Sequence, residues 1–206
     1  MIANQFLVNT RRFRAFVDTV EAIIDATPDS GDVIDRLREP FRDLLRDDSW
    51  LPEEFAVPAI ASGMGGGIGS YLLYRRLDHS LSISSLVVPA GAATPIHDHL
   101  AWGLVGLYRG EQFEEVFARE ATEIEDRADL RLVDRRHLRR GDFYELMPPR
   151  DDIHRVVAAN TRPSVSIHLL RNDVGCIHRH RFVLEENRVE PFRSGYVNQS
   201  CDEDQR

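Results

Sequence analysis

Residues 91 to 110 read G-A-A-T-P-I-H-D-H-L-A-W-G-L-V-G-L-Y-R-G, and two histidines, His97 and His99, stand there with one residue between them. Alternate side chains of an extended strand point to the same face, so both imidazoles can converge on one point in space. Neutral imidazole is a ligand for iron, copper, nickel or zinc. A third imidazole, His154, lies downstream in P-P-R-D-D-I-H. Three neutral nitrogens on one face, with open positions opposite, describe a catalytic metal site; a structural site closes its remaining position with another side chain.

The elements that must hold these residues are mostly short strands. The pattern predicts strands over Ser70 to Arg75, Leu81 to Val88, Thr94 to His99, Gly103 to Tyr108, Gln112 to Ala118 and Leu130 to Val133. It continues with Asp142 to Leu146, Ile153 to Ala158, Ser164 to Leu170 and His180 to Leu184. Many short strands with turn signals between them make a β-sandwich or barrel. Ahead of them, Phe13, Phe16, Val17, Val20, Ile23 and Ile24 form a helical stripe with Asn9 or Thr10 as cap. A second helical stretch runs from about Gly31 to Arg46. Pro40 interrupts it, which predicts two short helices or one kinked helix. A short helical turn is expected over Leu51 to Phe55. The helices are expected on the outside of the barrel.

Between these elements, residues 63 to 69, G-M-G-G-G-I-G, read as a flexible connection; no Lys-Ser/Thr pair follows to make a phosphate loop. Arg119 to Asp129 reads as a solvated hairpin arm, and R-R-H-L-R-R, residues 135 to 140, as a solvated basic turn. His79 and His137 read as surface histidines. The ending S-C-D-E-D-Q-R reads as a disordered tail. The expected division is helices over 1–60, a barrel with the metal site over 61–190 and a tail over 191–206.

Composition bounds the partners. The chain has 206 residues and a net charge of −8, which argues against nucleic acid or an anionic membrane surface as partner. The start M-I-A-N-Q-F lacks the basic flank and apolar run of a signal peptide, and no window is long and apolar enough to span a bilayer. Cys176 and Cys201 are too few for a disulfide scaffold, so reduced thiols in a cytoplasmic protein are expected.

Gly91, His97, His99 and Gly110 resemble the first sequence motif of the cupin superfamily, G-x5-H-x-H-x3,4-E-x6-G, with Gly103 standing where most cupins carry a metal-binding glutamate. Pro149, Asp151 and His154 resemble the second motif, P-x-G-x2-H, more loosely. The resemblance implies a mainly β fold, the cupin double-stranded β-helix or jelly-roll barrel, behind the N-terminal helices. Three histidines without the glutamate resemble the thiol dioxygenases, which hold Fe(II) on such a face. The wording T-P-I-H-D-H-x-x-W-G-L-V-G-x-x-R-G over residues 94–110 and S-V-S-I-H-L over residues 164–169 is similar to the bacterial 3-mercaptopropionate dioxygenase branch, over about residues 70 to 182.

That resemblance implies oxidation of a small mercapto-carboxylate to its sulfinate, with the thiol and O2 as partners, Fe(II) as cofactor and His97, His99 and His154 as its ligands. Ser166 and His168 match the first two members of the family's S-x-H-x-Y triad. Leu170 replaces the tyrosine, so either another hydroxyl (Tyr74, Tyr108 or Tyr144) takes over or the substrate differs. Leu170 also removes the tyrosine of the animal-type cysteine–tyrosine crosslink. Arg179 falls eleven residues after His168, where the branch pairs an arginine with the substrate carboxylate; guanidinium binds carboxylate in two prongs. Two other classes stay open: a metal-dependent cupin of different chemistry (non-thiol dioxygenase, isomerase or lyase), and a metal-binding or sensing cupin without turnover. Oligomeric state is left open.

Overall fold

A computed structural model describes residues 4–60, 63–120, 126–159 and 161–201. Two helices precede the sheets, α1 (Arg11–Ala26) and α2 (Ser30–Arg46). The first strands are β1 (Gln5–Phe6), β2 (Gly69–Arg75), β3 (Ser82–Val88), β4 (Ile96–His97), β5 (Gly103–Arg109) and β6 (Glu111–Arg119). The rest are β7 (Leu130–Arg139), β8 (Phe143–Leu146), β9 (Ile153–Ala158), β10 (Ser164–Leu170), β11 (Arg179–Val183) and β12 (Arg188–Phe192).

The strands form two six-stranded sheets, ordered β1-β2-β3-β10-β5-β8 and β12-β11-β4-β9-β6-β7. Every pairing is antiparallel. From β3 to β10 the chain passes back and forth between the sheets, and β10 returns to lie between β3 and β5. This is the wrapping of a jelly roll, the mainly β fold of a double-stranded β-helix.

The first sheet is buried on both faces. Phe13, Phe16, Val20, Phe41 and Leu45 of the helices share one core with Leu73, Ile83, Leu104, Ile167 and Leu169 of the strands. Strands β2, β3 and β10 have no exposed residue in consequence. The second sheet faces solvent, and β7 at its edge is mostly exposed. Among the described residues, no helix is long and apolar enough to cross a membrane.

Several local expectations change for identifiable reasons. α2 is one helix through Pro40; the burial of Leu37, Phe41, Leu44 and Leu45 carries it past the missing N–H. Asp29 caps it, accepting from the amides of Gly31 (2.8 Å) and Asp32 (3.2 Å). Thr10 precedes α1 but makes no capping bond; its hydroxyl donates to the Trp50 carbonyl, 3.0 Å away. The expected strand over Thr94 to His99 shrinks to Ile96–His97, because Pro95 has no N–H to give a ladder and Leu100 turns the chain at φ +51°.

The basic cluster at 135–140 is no turn. Most of it belongs to β7, where Arg135, Arg136 and Arg139 sit opposite Glu115, Glu114 and Glu111 of β6. His137 stacks on Phe113, with ring centroids 4.7 Å apart. His79 is not a bare surface group either, since its Nδ1 lies 2.9 Å from the buried Asp173 carboxylate. The hairpin-arm expectation over Arg119 to Asp129 falls partly on 121–125, outside the described residues.

The C-terminal segment is ordered as far as Cys201. Asn198 bonds both the amide and the carbonyl of Leu72, each at 2.9 Å. Cys201 is in a disulfide with Cys176, their Cα atoms 5.2 Å apart, which corrects the expectation of reduced thiols. They are 25 positions apart in sequence, and the segment between them includes β11 and β12, whose hairpin brings the tail back beside Cys176. The last residues of the expected disordered tail, 202–206, lie outside the described set.

Phe41 is fully buried where α2 meets β5 and packs edge-on against Phe143, 5.8 Å between centroids. Phe41→Ala should therefore cost about 3–5 kcal/mol of stability, measured as a fall in the urea midpoint with an unchanged slope.

Candidate metal centre

The three histidines come together through one strand pair. His97 ends β4 and sits directly opposite His154 of β9, and His99 follows two residues later. Ring centroids are 4.9 Å apart for His97–His154, 5.0 Å for His97–His99 and 4.7 Å for His99–His154. One nitrogen from each ring falls within 4.8 Å of the others, and all three residues are buried.

Their hydrogen bonds set which nitrogens are available. His97 Nδ1 lies 2.9 Å from the Pro95 carbonyl. A carbonyl only accepts, so Nδ1 carries the proton and Nε2 keeps its lone pair. His154 Nδ1 faces the Glu114 Oε2 atom at 2.9 Å and the Tyr144 hydroxyl at 3.1 Å. His154 Nε2, on the other side of the ring, is buried without a hydrogen-bond partner among the described residues, as is His99 Nδ1. Burial holds the imidazoles of His97 and His99 well below the usual histidine range, with the Arg179 charge and the neighbouring histidines adding to it. Orphaned, desolvated nitrogens on His99 and His154 are costly unless something takes their lone pairs. A divalent transition metal fits that donor set.

The glutamate that most cupins carry is excluded by packing. Gly103 pairs with Leu170 across β5 and β10, and a Cβ at position 103 would lie 2.0 Å from the Leu169 carbonyl oxygen. The strands close over the space a side chain would need. At the other motif, Asp151 stands in the glycine place and adopts φ +59°, a left-handed backbone that aspartate tolerates better than most residues. Asp152 then reaches back and accepts from the amides of His99 (3.0 Å) and Leu100 (3.2 Å), fixing the turn that aims His99.

Strand β10 supplies the next group. Ser166 Oγ is 3.0 Å from His168 Nε2, and the His168 ring lies 6.0 Å from His99. Burial, and after it the charges of His154 and Arg179, push His168 down to about 3. It is therefore neutral near pH 7, and its Nδ1 has no bond to the chain among the described residues. Leu170, the next residue on that face, is buried with Ala101, Val105, Leu146 and Val174.

Of the three tyrosines proposed to replace the missing hydroxyl, Tyr74 bonds Glu21 and Asn4. Tyr108 packs against Trp50 under the helices, and Tyr144 stands behind His154. None of the three lines the cavity at the metal face.

That cavity, about 20 Å³, is lined by His97, His99, His168 and Arg179, with Ser84, Ser194 and Met64 among its other walls. Arg179 is fully buried. Its guanidinium donates to the carbonyls of Asp98 (2.5 Å) and Val174 (3.1 Å) and to Ser194 Oγ (2.8 Å), and it lies 4.7 Å over the Phe192 ring. Burial lowers it to about 10, so it still carries its charge near pH 7. Arg179 thus clamps the turn bearing His97 and His99 as well as facing the cavity.

The sequence pattern missed Glu114, Gln112, Asp152 and Ser194. One signal was present for Glu114. In E-Q-F-E-E-V-F the strand period forces one of the adjacent Glu114 and Glu115 inward, and Gln112 shares that buried face. The pairing of Asp152 with distant backbone and of Ser194 with the Arg179 guanidinium left no local trace.

No protein-family model matches the chain. Among solved structures it is similar to an RmlC-like cupin from Shewanella frigidimarina, with 18% identity, 59% of this chain and 87% of that one covered, and a TM-score of 0.42. It is also similar to an oxalate oxidase (13%, 62% and 61%, TM-score 0.43). A third likeness is to Peruvianin-I, described as a cysteine peptidase from Thevetia peruviana latex (20%, 62% and 74%, TM-score 0.43). The fold is fixed by the strand pairing above, and no chemistry passes from these proteins to this one.

Unfolded histidine takes up a proton near pH 6.5, whereas folded His168 does so only near 3. Between these values the unfolded state binds more protons, so stability falls as pH drops below about 6.5 and is flat in this respect above it. In urea titrations of metal-free protein, His168→Gln should lose less stability than the parent between about pH 7 and pH 5. Equal losses would remove His168 from the acid response.

Proposed function

We propose that the chain is a mononuclear non-haem Fe(II) thiol dioxygenase that oxidises a small mercapto-carboxylate, 3-mercaptopropionate- or cysteine-like, to its sulfinate with O2. The observation that carries this reading is a buried face of three imidazoles from which a carboxylate ligand is excluded at Gly103, with Arg179 and His168, itself bonded to Ser166, lining the same cavity. His97, His99 and His154 would hold the metal. Bound Fe(II) would bring thiolate and O2 together, and the electrons that reduce O2 would come from the thiol sulfur as it becomes the sulfinate.

The chain's own residues then divide the remaining work. Arg179 places a fixed positive charge where a substrate carboxylate can reach it. His168, neutral and oriented by Ser166, offers Nδ1 to hydrogen-bond the substrate. Val174 keeps its part of the wall apolar and limits water, with Leu170 in the same apolar cluster. Met64 closes another part of the cavity, and its unbranched side chain can swing to widen the space for a three-carbon thiol.

Leu170 is the specific observation that favours a second reading, a metal-dependent cupin enzyme of another class. The hydroxyl of the thiol-dioxygenase triad is replaced by an apolar group in a closed apolar cluster, and no surveyed tyrosine restores it.

Oxygen consumption by anaerobically Fe(II)-loaded protein separates the readings. Uptake is expected with 3-mercaptopropionate or cysteine, matched by the sulfinate in mass spectra and absent in a no-thiol blank. Iron-loaded protein that consumes no oxygen with any small thiol would leave the second reading. With an active thiol in hand, Arg179→Lys keeps the charge but loses the two-pronged fork. It should raise KM for the carboxylate-bearing thiol about tenfold at unchanged iron stoichiometry; an unaltered KM would remove Arg179 from carboxylate binding.

A further inference from the structure

Glu114 has no exposed surface, and Gln112 beside it is equally buried. Both point inward from β6, and β6 pairs with β9 so that Glu114 neighbours His154 in space: Val116 is the residue opposite His154, two positions along the same face. Gln112 Nε2 donates to Glu114 Oε1 at 2.7 Å. The other carboxylate oxygen, Oε2, makes no hydrogen bond of good geometry yet lies 2.9 Å from His154 Nδ1. The Tyr144 hydroxyl is 3.1 Å from the same nitrogen. Burial and the nearby Glu114 charge raise the Tyr144 hydroxyl well above the usual tyrosine range, so it keeps its proton near pH 7. A buried carboxylate in contact with no arginine or lysine is expensive. Among the described residues its polar neighbours are an amide, a phenol and an imidazole.

We infer that Glu114, with Tyr144, is a positioning residue for the metal: a carboxylate placed one group behind His154 that holds the proton on Nδ1, aims Nε2 at the ion and supplies the negative charge that Gly103 cannot carry. A ligand imidazole that gives its other N–H to a carboxylate is oriented and made more basic. The counter-charge that a buried divalent cation needs is then provided from β6, outside the ligand shell. The three-histidine face is in this sense neutral only at its surface. The same placement explains why Glu114 is tolerated inside the barrel: with a cation in place, the carboxylate has an opposite charge to face across the His154 ring.

The inference rests on the metal-binding part of the proposed function and not on the identity of the thiol. Its test is the affinity of the whole chain for Co(II) alone, by competition with a chromophoric chelator, with the visible ligand-field bands of bound Co(II) as second readout. The parent should bind one equivalent. Glu114→Gln keeps the shape and removes the charge; it should bind with the same stoichiometry but roughly 10- to 100-fold more weakly, with shifted bands. Glu115→Gln, one residue away on the solvent side, should bind as the parent does.

Equal affinity and identical bands for parent and Glu114→Gln would overturn the inference while leaving the metal site standing. A parent that binds no Co(II) would overturn the metal site itself, and the inference with it. Should Glu114→Gln fail to fold, as judged by its urea transition, Tyr144→Phe decides. It removes one of the two groups facing Nδ1 and must weaken Co(II) binding by about threefold to tenfold; parent-like affinity there would overturn the inference equally.

Discussion

Strand β10 is buried on both faces, and the two faces are asked for opposite things. Val165, Ile167 and Leu169 point outward and join the core beneath the helices. Ser166, His168 and Leu170 point inward, toward the space between the sheets. The period of two makes this division automatic, but only while the outward face stays covered. The helices α1 and α2 supply that cover. A slip of one residue in the pairing of β10 with β3 or β5 would put His168 against Phe41 and its neighbours and move Ile167 toward the metal face. The registers Ser166↔Leu86 and Leu170↔Gly103 are therefore what the site geometry depends on, and the apolar packing outside the sheet fixes them.

The site itself is built from polar groups bonded largely to backbone. Arg179 donates to two carbonyls, Asp152 accepts from two amides, and His97 donates to one carbonyl. Each of these satisfies a buried group that would otherwise cost one to a few kcal/mol. Together they hold the turn after β4, which is too short to be held by sheet bonds. The disulfide and the C-terminal segment act on the same wall from outside. Ser194 meets Arg179, and Cys201 ties the tail to Cys176, two residues past Val174.

Charge follows the same separation. The exposed edge strand β7 carries the arginines, matched by acids on β6. Inside the barrel, His97, His99 and His168 are kept uncharged by burial, and Arg179 keeps its charge. Such an interior favours anionic ligands near Arg179 and a cation among the imidazoles, and it explains how a chain of net charge −8 can present a positive cavity.

Much was legible in the sequence because it depends on local spacing. Periods of two and 3.6 located most strands and both helices, the H-x-H pair and His154 singled out the three imidazoles that come together, and glycines at 91 and 110 marked the turns around them. The long β7 and the unbroken α2 were not legible, since each reflects what a neighbour does: a partner strand's acids, or a core that outweighs a proline. Sequence alone determined which groups could ligate a metal and that no carboxylate stands at position 103. Only the tertiary structure decided that no side chain fits there, that Cys176 meets Cys201, that Arg179 clamps the metal-site turn, and that Glu114 lies behind His154. Those are contacts between residues far apart in the chain, set by how two sheets close on each other, and no local pattern encodes the distance between them.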